Sequence, residues 1–103
     1  MVLKKEEQKG IVKAIYDSSN ICASVYDKNN FDLTIIFKNG GQYKYHNVDS
    51  IDYNSFELAE SNGSVFNSTI KTKYKNFQKM DKFDVKELLL EIEALKTKWW
   101  KYI

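Results

Sequence analysis

The sequence predicts an α+β fold: an antiparallel three- to four-stranded β-meander, then two short helices and a long C-terminal amphipathic helix. Three observations carry that expectation. Residues 31–37 alternate apolar and polar positions with period two, the signature of a strand with one buried face. Asn39-Gly40-Gly41 follows at once, and both residue types tolerate positive φ, which a tight hairpin demands. From Asp84 onward apolar residues recur three and four positions apart, the period of a helix. At 103 residues the chain has the length of one domain. A domain of that size buries roughly 60–70% of its unfolded surface, enough for a core without disulfide or metal staples. The chain divides into an N-terminal segment (1–17), the meander with its short helices (18–74), and a Lys-rich connection leading to the last helix (75–103), all within one domain.

The elements follow in order. Residues 3–9 are charged and read as a frayed helix or a tail. Ile11-Val12-Lys13-Ala14-Ile15-Tyr16 is apolar and open between strand and helix. Asp17-Ser18-Ser19-Asn20 is a turn cluster. Ile21, Ala23 and Val25 then alternate with Cys22, Ser24 and Tyr26, and Asp27-Lys28-Asn29-Asn30 turns the chain. Phe31, Leu33, Ile35 and Phe37 alternate with Asp32, Thr34, Ile36 and Lys38; Tyr43 and Tyr45 return, alternating with Gln42, Lys44 and His46. Loop length sets the register. A two-residue Asn39-Gly40 turn places the tyrosines beside Ile36 and Thr34. A three-residue loop over Asn39-Gly40-Gly41 pairs Phe37 with Tyr43 and Ile35 with Tyr45. The second gathers the large apolar groups on one buried face and is the expected register. The opposite face then carries Cys22, Ser24, Tyr26, Thr34, Ile36, Lys38, Lys44 and His46.

Asp49 or Ser50 can cap a helix over about 50–60, with Ile51, Phe56 and Ala59 inward. Ser61-Asn62-Gly63 stops it, and Gly63 suits the position just beyond the C-cap. Ser64 caps a second helix with Phe66, Ile70 and Tyr74 on one face. Asp84 and Glu87 form a capping-box-like pair at the start of a helix over about 85–102. Val85, Leu88, Ile92, Leu95, Trp99 and Tyr102 make its seam. The helices are expected on one sheet face, with the last seam docked on the sheet or paired with a second copy as a homodimer.

Composition narrows the chemistry. Cys22 is the only cysteine and His46 the only histidine, so this chain alone builds no internal disulfide and no structural zinc site, which needs about four such ligands. No cofactor is expected. The N-terminus lacks a signal-peptide stretch, and no apolar run approaches the ~18 residues of a membrane span, so a cytoplasmic location without membrane contact is expected. Net charge is +2 but uneven: residues 1–67 hold seven Lys and nine acids (−2), residues 68–103 nine Lys and five acids (+4). Every basic residue is Lys. Bidentate reading of guanine leans mostly on Arg, so nucleic-acid contact would rest on the backbone.

Residues 18–74 resemble the KTSC domain family. The matching pieces are Ser18-Ser19-Asn20-Ile21, Tyr26-Asp27, Leu33-x-Ile35-x-Phe37, Asn39-Gly40 and Tyr43-Lys44-Tyr45. They continue through Val48, Tyr53, Phe56, Ala59, Ser61-x-Gly63, Phe66-Asn67, Ile70 and Tyr74. Where the family usually has a proline after the valine, this chain has Asp49, which bears on the helix cap. The family occurs as small stand-alone bacterial and phage proteins and at the C-terminus of some lysyl-tRNA synthetases. It carries no established biochemical activity; the resemblance implies RNA binding, through the synthetase association.

Four groups of residues bear on chemistry. Cys22 and His46, if both on the exposed face, would resemble a nucleophile pair, but no orienting partner or oxyanion donor accompanies them. Ser18-Ser19-Asn20 reads as an ordinary turn. No enzyme is expected. Tyr43 and Tyr45 read as core residues rather than as a stacking platform. Residues 71–82 hold five Lys against one acid, interleaved with aromatics, the footprint of a polyanion site. The expected function is therefore a non-catalytic module that binds nucleic acid, in particular RNA or an RNA-containing complex. Lys71, Lys73, Lys75, Lys79 and Lys82 would meet phosphates, and Tyr74, Phe77 or Tyr26 would stack. Lys44 belongs to the alternative sheet-face surface. The rival is a module that binds a host protein, such as a phage-encoded, anti-CRISPR-like antagonist of a nucleoprotein complex, with Trp99 and Trp100 as its interface.

Overall fold

The computed structural model describes residues 1–98. Six strands form one antiparallel meander in chain order: β1 (Val2–Gln8), β2 (Ile11–Tyr16), β3 (Ile21–Asp27), β4 (Asp32–Phe37), β5 (Gln42–Tyr45) and β6 (Phe77–Lys79). Three helical elements join them. They are α1 (Ser50–Glu57), α2 (Asn62–Val65), which runs directly into a π-helical segment Phe66–Lys71, and α3 (Lys86–Lys98).

The α+β class and the antiparallel meander are as expected, but the sheet is wider than three or four strands. The segment expected as tail or frayed helix is β1, and the Lys-rich connection contains β6. Both are edges of the sheet. Edge strands carry charge and need no alternating apolar face, which is why neither shows a period of two. From Lys4 onward β1 is exposed, and a register shift between Val2 and Lys4 breaks what alternation it has.

The face of β3 is reversed from the expected one. Tyr26 pairs with Leu33 and Ser24 with Ile35, so both point into the main core, while Ala23 pairs with Ile36 on the far side. Two local features cause this. The β3–β4 loop is closed by Asp27, whose carboxylate accepts from Asn29 N at 2.8 Å and Asn30 N at 3.2 Å. Phe31 takes φ +60° and leaves the strand, so β4 starts at Asp32. A second register shift between Ile21 and Ala23 returns Ile21 to the main core.

Tyr43 and Tyr45 share the face of Leu33 and Phe37, as expected, but their partners are Ile35 and Leu33. The loop is three residues long, over 38–40 instead of 39–41: Phe37 N donates to Gly41 O at 2.9 Å and Gly40 N to Phe37 O at 2.9 Å. Gly40 takes φ +89° at the last loop position, where such hairpins require it.

The helices cover both sheet faces, not one. α1, α2 and the π-helical segment bury Tyr53, Phe56, Phe66 and Ile70 against Val12, Tyr16, Tyr26, Leu33 and Ile35. α3 lays Ile92, with Val85, Leu88 and Leu89, on Cys22, Ala23 and Ile36 of the opposite face. The seam therefore docks on the chain's own sheet; Trp99 and Tyr102 lie outside the described residues. Asp49 caps α1 by accepting from Asp52 N at 2.8 Å, but Ile51 faces solvent at 76% exposure and Tyr53 takes the inward place. α2 is capped by Ser61, not Ser64, and Gly63 lies inside it. Asp84 accepts from Lys86 N at 3.1 Å where α3 begins.

Candidate nucleic-acid interface

The Lys-rich segment leaves the π-helical turn, passes the start of α1 and adds β6 to the sheet beside β5. Its side chains divide into two groups. Lys73 and Tyr74 fasten the segment to the start of α1. The Tyr74 hydroxyl accepts from Asp49 N at 3.1 Å and donates to Asp52 Oδ2 at 2.5 Å, and the ring is buried. Lys73 Nζ lies 2.7 Å from Asp52 Oδ2 and 3.9 Å from Asp49 Oδ2. The Lys73 ammonium, and then the Tyr74 hydroxyl, hold the Asp52 carboxyl below its ordinary range. In return Asp52 raises the Lys73 ammonium, and burial raises the Tyr74 hydroxyl. Lys73 is exposed but engaged with carboxylates, and the Tyr74 ring is buried.

β6 makes the second group. Its register pairs Phe77 with Tyr45, Gln78 with Lys44 and Tyr43 with Lys79. Because side chains alternate across a strand, Phe77 and Lys79 share the face of the two tyrosines, while Lys44 points to the opposite face. Past β6 the zipper continues: Met80 N donates to Gln42 O at 2.8 Å, Gln42 Nε2 to Asp81 O at 3.0 Å, and Phe83 N to Gly40 O at 2.8 Å. These bonds bring Lys82 against the 38–40 loop.

The result is a cleft at the hairpin end of the sheet, about 340 Å³ in volume. It is lined by Phe37, Tyr43, Tyr45, Phe66 and Phe77, with Asn39, Gly41 and Lys71. The rings form a closed circuit: Phe37–Tyr43 5.9 Å, Tyr43–Phe77 6.2 Å, Phe77–Tyr45 5.4 Å, Tyr45–Phe66 5.7 Å and Phe66–Phe37 5.5 Å between centroids. Phe77 is 51% exposed. An adjoining depression of about 260 Å³ shares Asn39, Gly41 and Tyr43 with the cleft and adds Lys79, Met80 and Lys82.

Of the residues singled out from sequence, the fold brings Lys71, Phe77, Lys79 and Lys82 together. Lys75 is exposed and its Nζ reaches the Lys71 carbonyl at 3.5 Å. Tyr26 is a correction. It is fully buried, stacked on Tyr53 at 4.1 Å, and donates to Val48 O at 2.7 Å, because the reversed face of β3 turns it inward. Lys44 is separated from the cleft by the thickness of the sheet. Trp99 and Trp100 lie outside the described residues. Tyr43 and Tyr45 lie at the core as expected, Tyr45 within it and Tyr43 packed against it, and they also line the cleft; for Phe37 and Phe66 the sequence carries no site expectation. The signal that could have found them was the abundance of aromatics on one expected face.

The other weighed groups separate. Cys22 is buried beneath α3 and burial pushes its thiol up. His46 Nδ1 donates to Asp32 Oδ1 at 2.9 Å at the opposite end of β4. Ser18 Oγ accepts from Ile21 N at 3.4 Å, a turn contact. Among the described residues no cluster of three His, Cys, Asp or Glu could hold a metal ion, and no helix is long and apolar enough to cross a membrane.

Comparison with known proteins completes the description. The sequence model of the KTSC domain matches residues 17–74. No curated protein matches the chain. Among solved structures, the chain is similar to the KTSC domain protein YPO2434 from Yersinia pestis, with a TM-score of 0.62 and 32% identity over 66% of this chain and 94% of that one. The matched span holds four of the five rings and Lys71, whereas Phe77, Lys79 and Lys82 follow it.

Proposed function

The chain belongs to the KTSC domain family, and we propose that this member is a non-catalytic module that binds nucleic acid, RNA in particular, at the hairpin end of its sheet. The observation that carries the reading is the placement of Lys71 in the aromatic-lined cleft and of Lys79 and Lys82 in the depression that shares Asn39, Gly41 and Tyr43 with it. Among the described residues none of the three forms an ion pair, and no carboxylate lines the cleft or the adjoining depression. An apolar surface rimmed by uncompensated positive charge suits a polyanion that also offers flat apolar rings, which describes nucleic acid. The absence of Arg points to phosphate contacts with weak sequence discrimination. The separation of Cys22 from His46 supports a non-catalytic role.

Anisotropy of labelled RNA at low salt tests this. The folded chain should bind, and Lys79→Glu with Lys82→Glu should weaken binding to every sequence alike. A folded chain that binds no RNA would end the reading.

A second reading is a protein-interaction module, such as a phage-encoded antagonist of a host nucleoprotein complex. The exposure of Ile51 (76%) in α1 and of Leu58 (79%) at its C-cap, seven residues apart and thus on one side of the helix, favours it. A pull-down split into nuclease-treated and untreated halves separates the two readings, since only the RNA-mediated capture is lost to nuclease.

A further inference from the structure

We propose that the five-ring cleft is a receptor for a single unpaired base, with the flanking phosphates held by Lys71 on one side and by Lys79 and Lys82 on the other. The inference rests on the nucleic-acid reading above and specifies which form of nucleic acid is bound. Tyr45 and Phe66 belong to the main core and Phe37 and Tyr43 pack against it, whereas Phe77 is the ring that the core does not bury. Phe77 sits on an edge strand of three residues, leans on Tyr45, and leaves half of its surface in water. Burial would favour turning such a ring inward or replacing it by a polar residue. Instead it closes a circuit whose other four members come from β4, β5 and the π-helical segment, so that five rings line the cleft beside Asn39, Gly41 and Lys71. Bases bind such rings by stacking and by edge contacts.

Volume and charge define the occupant. About 340 Å³ lies at the small end of ligand pockets and has room for one flat ring system. A base paired within a duplex cannot enter without leaving its stack, so single strands and loops have access and helices do not. Aromatic baskets also receive quaternary or methylated ammonium groups. Here the rim carries Lys71, Lys79 and Lys82 with no carboxylate, a field that repels a cation and attracts phosphates.

The test uses the full chain, one short labelled RNA as a single strand and as a duplex with its complement, and a trimethyl-lysine peptide. The single strand should bind at least about tenfold more tightly than the duplex. Phe77→Ala removes an exposed ring, so the fold should hold, which a thermal melt checks. It should weaken single-strand binding by about 5- to 150-fold, equivalent to the 1–3 kcal/mol of one stacked base, and leave duplex binding unchanged. Phe77→Trp should restore the affinity. Equal affinity for both RNAs, or an indifferent Phe77→Ala, would overturn the single-base receptor and leave the nucleic-acid reading standing. Phe77-dependent binding of the methylated peptide would also overturn it. Failure of both RNAs to bind at low salt would overturn the parent reading itself.

Discussion

Gly40 ties the β4–β5 hairpin to the chain that follows β6. Its φ of +89° is one L side chains rarely adopt, and a Cβ there would stand 2.7 Å from the Phe83 carbonyl oxygen. Gly40→Ala therefore adds backbone strain and a clash, and should cost about 1–3 kcal/mol in a denaturant melt. Gly40→Asn tolerates the dihedral but not the close approach, so it should recover only part of the loss. Full recovery would show that φ alone matters. A second residue-scale expectation concerns pH. Asp52 has a lowered pKa in the folded chain, first through Lys73 and then through Tyr74. Its contribution to stability is then complete above the unfolded value, about 3.9, and is lost as pH falls through the lower folded value. Stability measured against pH should therefore fall less steeply below about pH 4 in Asp52→Asn than in the natural sequence; parallel acid limbs would contradict the assignment. Residues with local roles were the legible ones. Asp49 as a cap and Asp27 in a turn act on backbone groups two or three positions away, which a sequence displays directly.

At the scale of elements, legibility followed the buried face. β4 turns Leu33 and Ile35 to the main core and alternates with Asp32 and Thr34, and α3 with the preceding Val85 lays Leu88 and Ile92 at helical spacing on the sheet. β1 and β6 did not announce themselves because the sheet edge asks little of side chains. The reversed face of β3 was hidden by one residue of slippage: Phe31 leaves the strand, and with a side-chain period of two that exchanges the faces. α3 gives the sharpest test at this scale. Ile92 is 2% exposed in the second core, so Ile92→Asp buries an unpaired charge and should detach the helix or unfold the domain. Thermal melts and light scattering at several concentrations read the outcome. Since the seam packs on the chain's own sheet, the expected result is a lowered melting temperature without a change in mass at low concentration; an unchanged melt would show that this packing contributes nothing.

For the whole molecule, charge was legible and shape was not. The excess of Lys after residue 67 is plain in the sequence, but five lysines in a row of twelve residues do not say which face water and which face carboxylates. Folding answers by non-local pairing: Lys73 meets Asp52, twenty-one positions earlier, while Lys71 lines the cleft and Lys79 and Lys82 the depression adjoining it. The aromatic circuit was legible only in part: the hairpin puts Phe37, Tyr43 and Tyr45 on one face, but Phe66 and Phe77 reach them from other elements by non-local packing. The central claim is that these three lysines meet phosphates, and the salt dependence of RNA binding tests it most directly. Each phosphate neutralised on a single strand contributes roughly 0.7 to the slope of log affinity against log salt, so three contacts should give a slope of about −2. Lys79→Glu with Lys82→Glu should weaken binding and flatten the slope to about −0.7 or less. A slope near zero, or a slope that survives the double charge reversal, would contradict the claim.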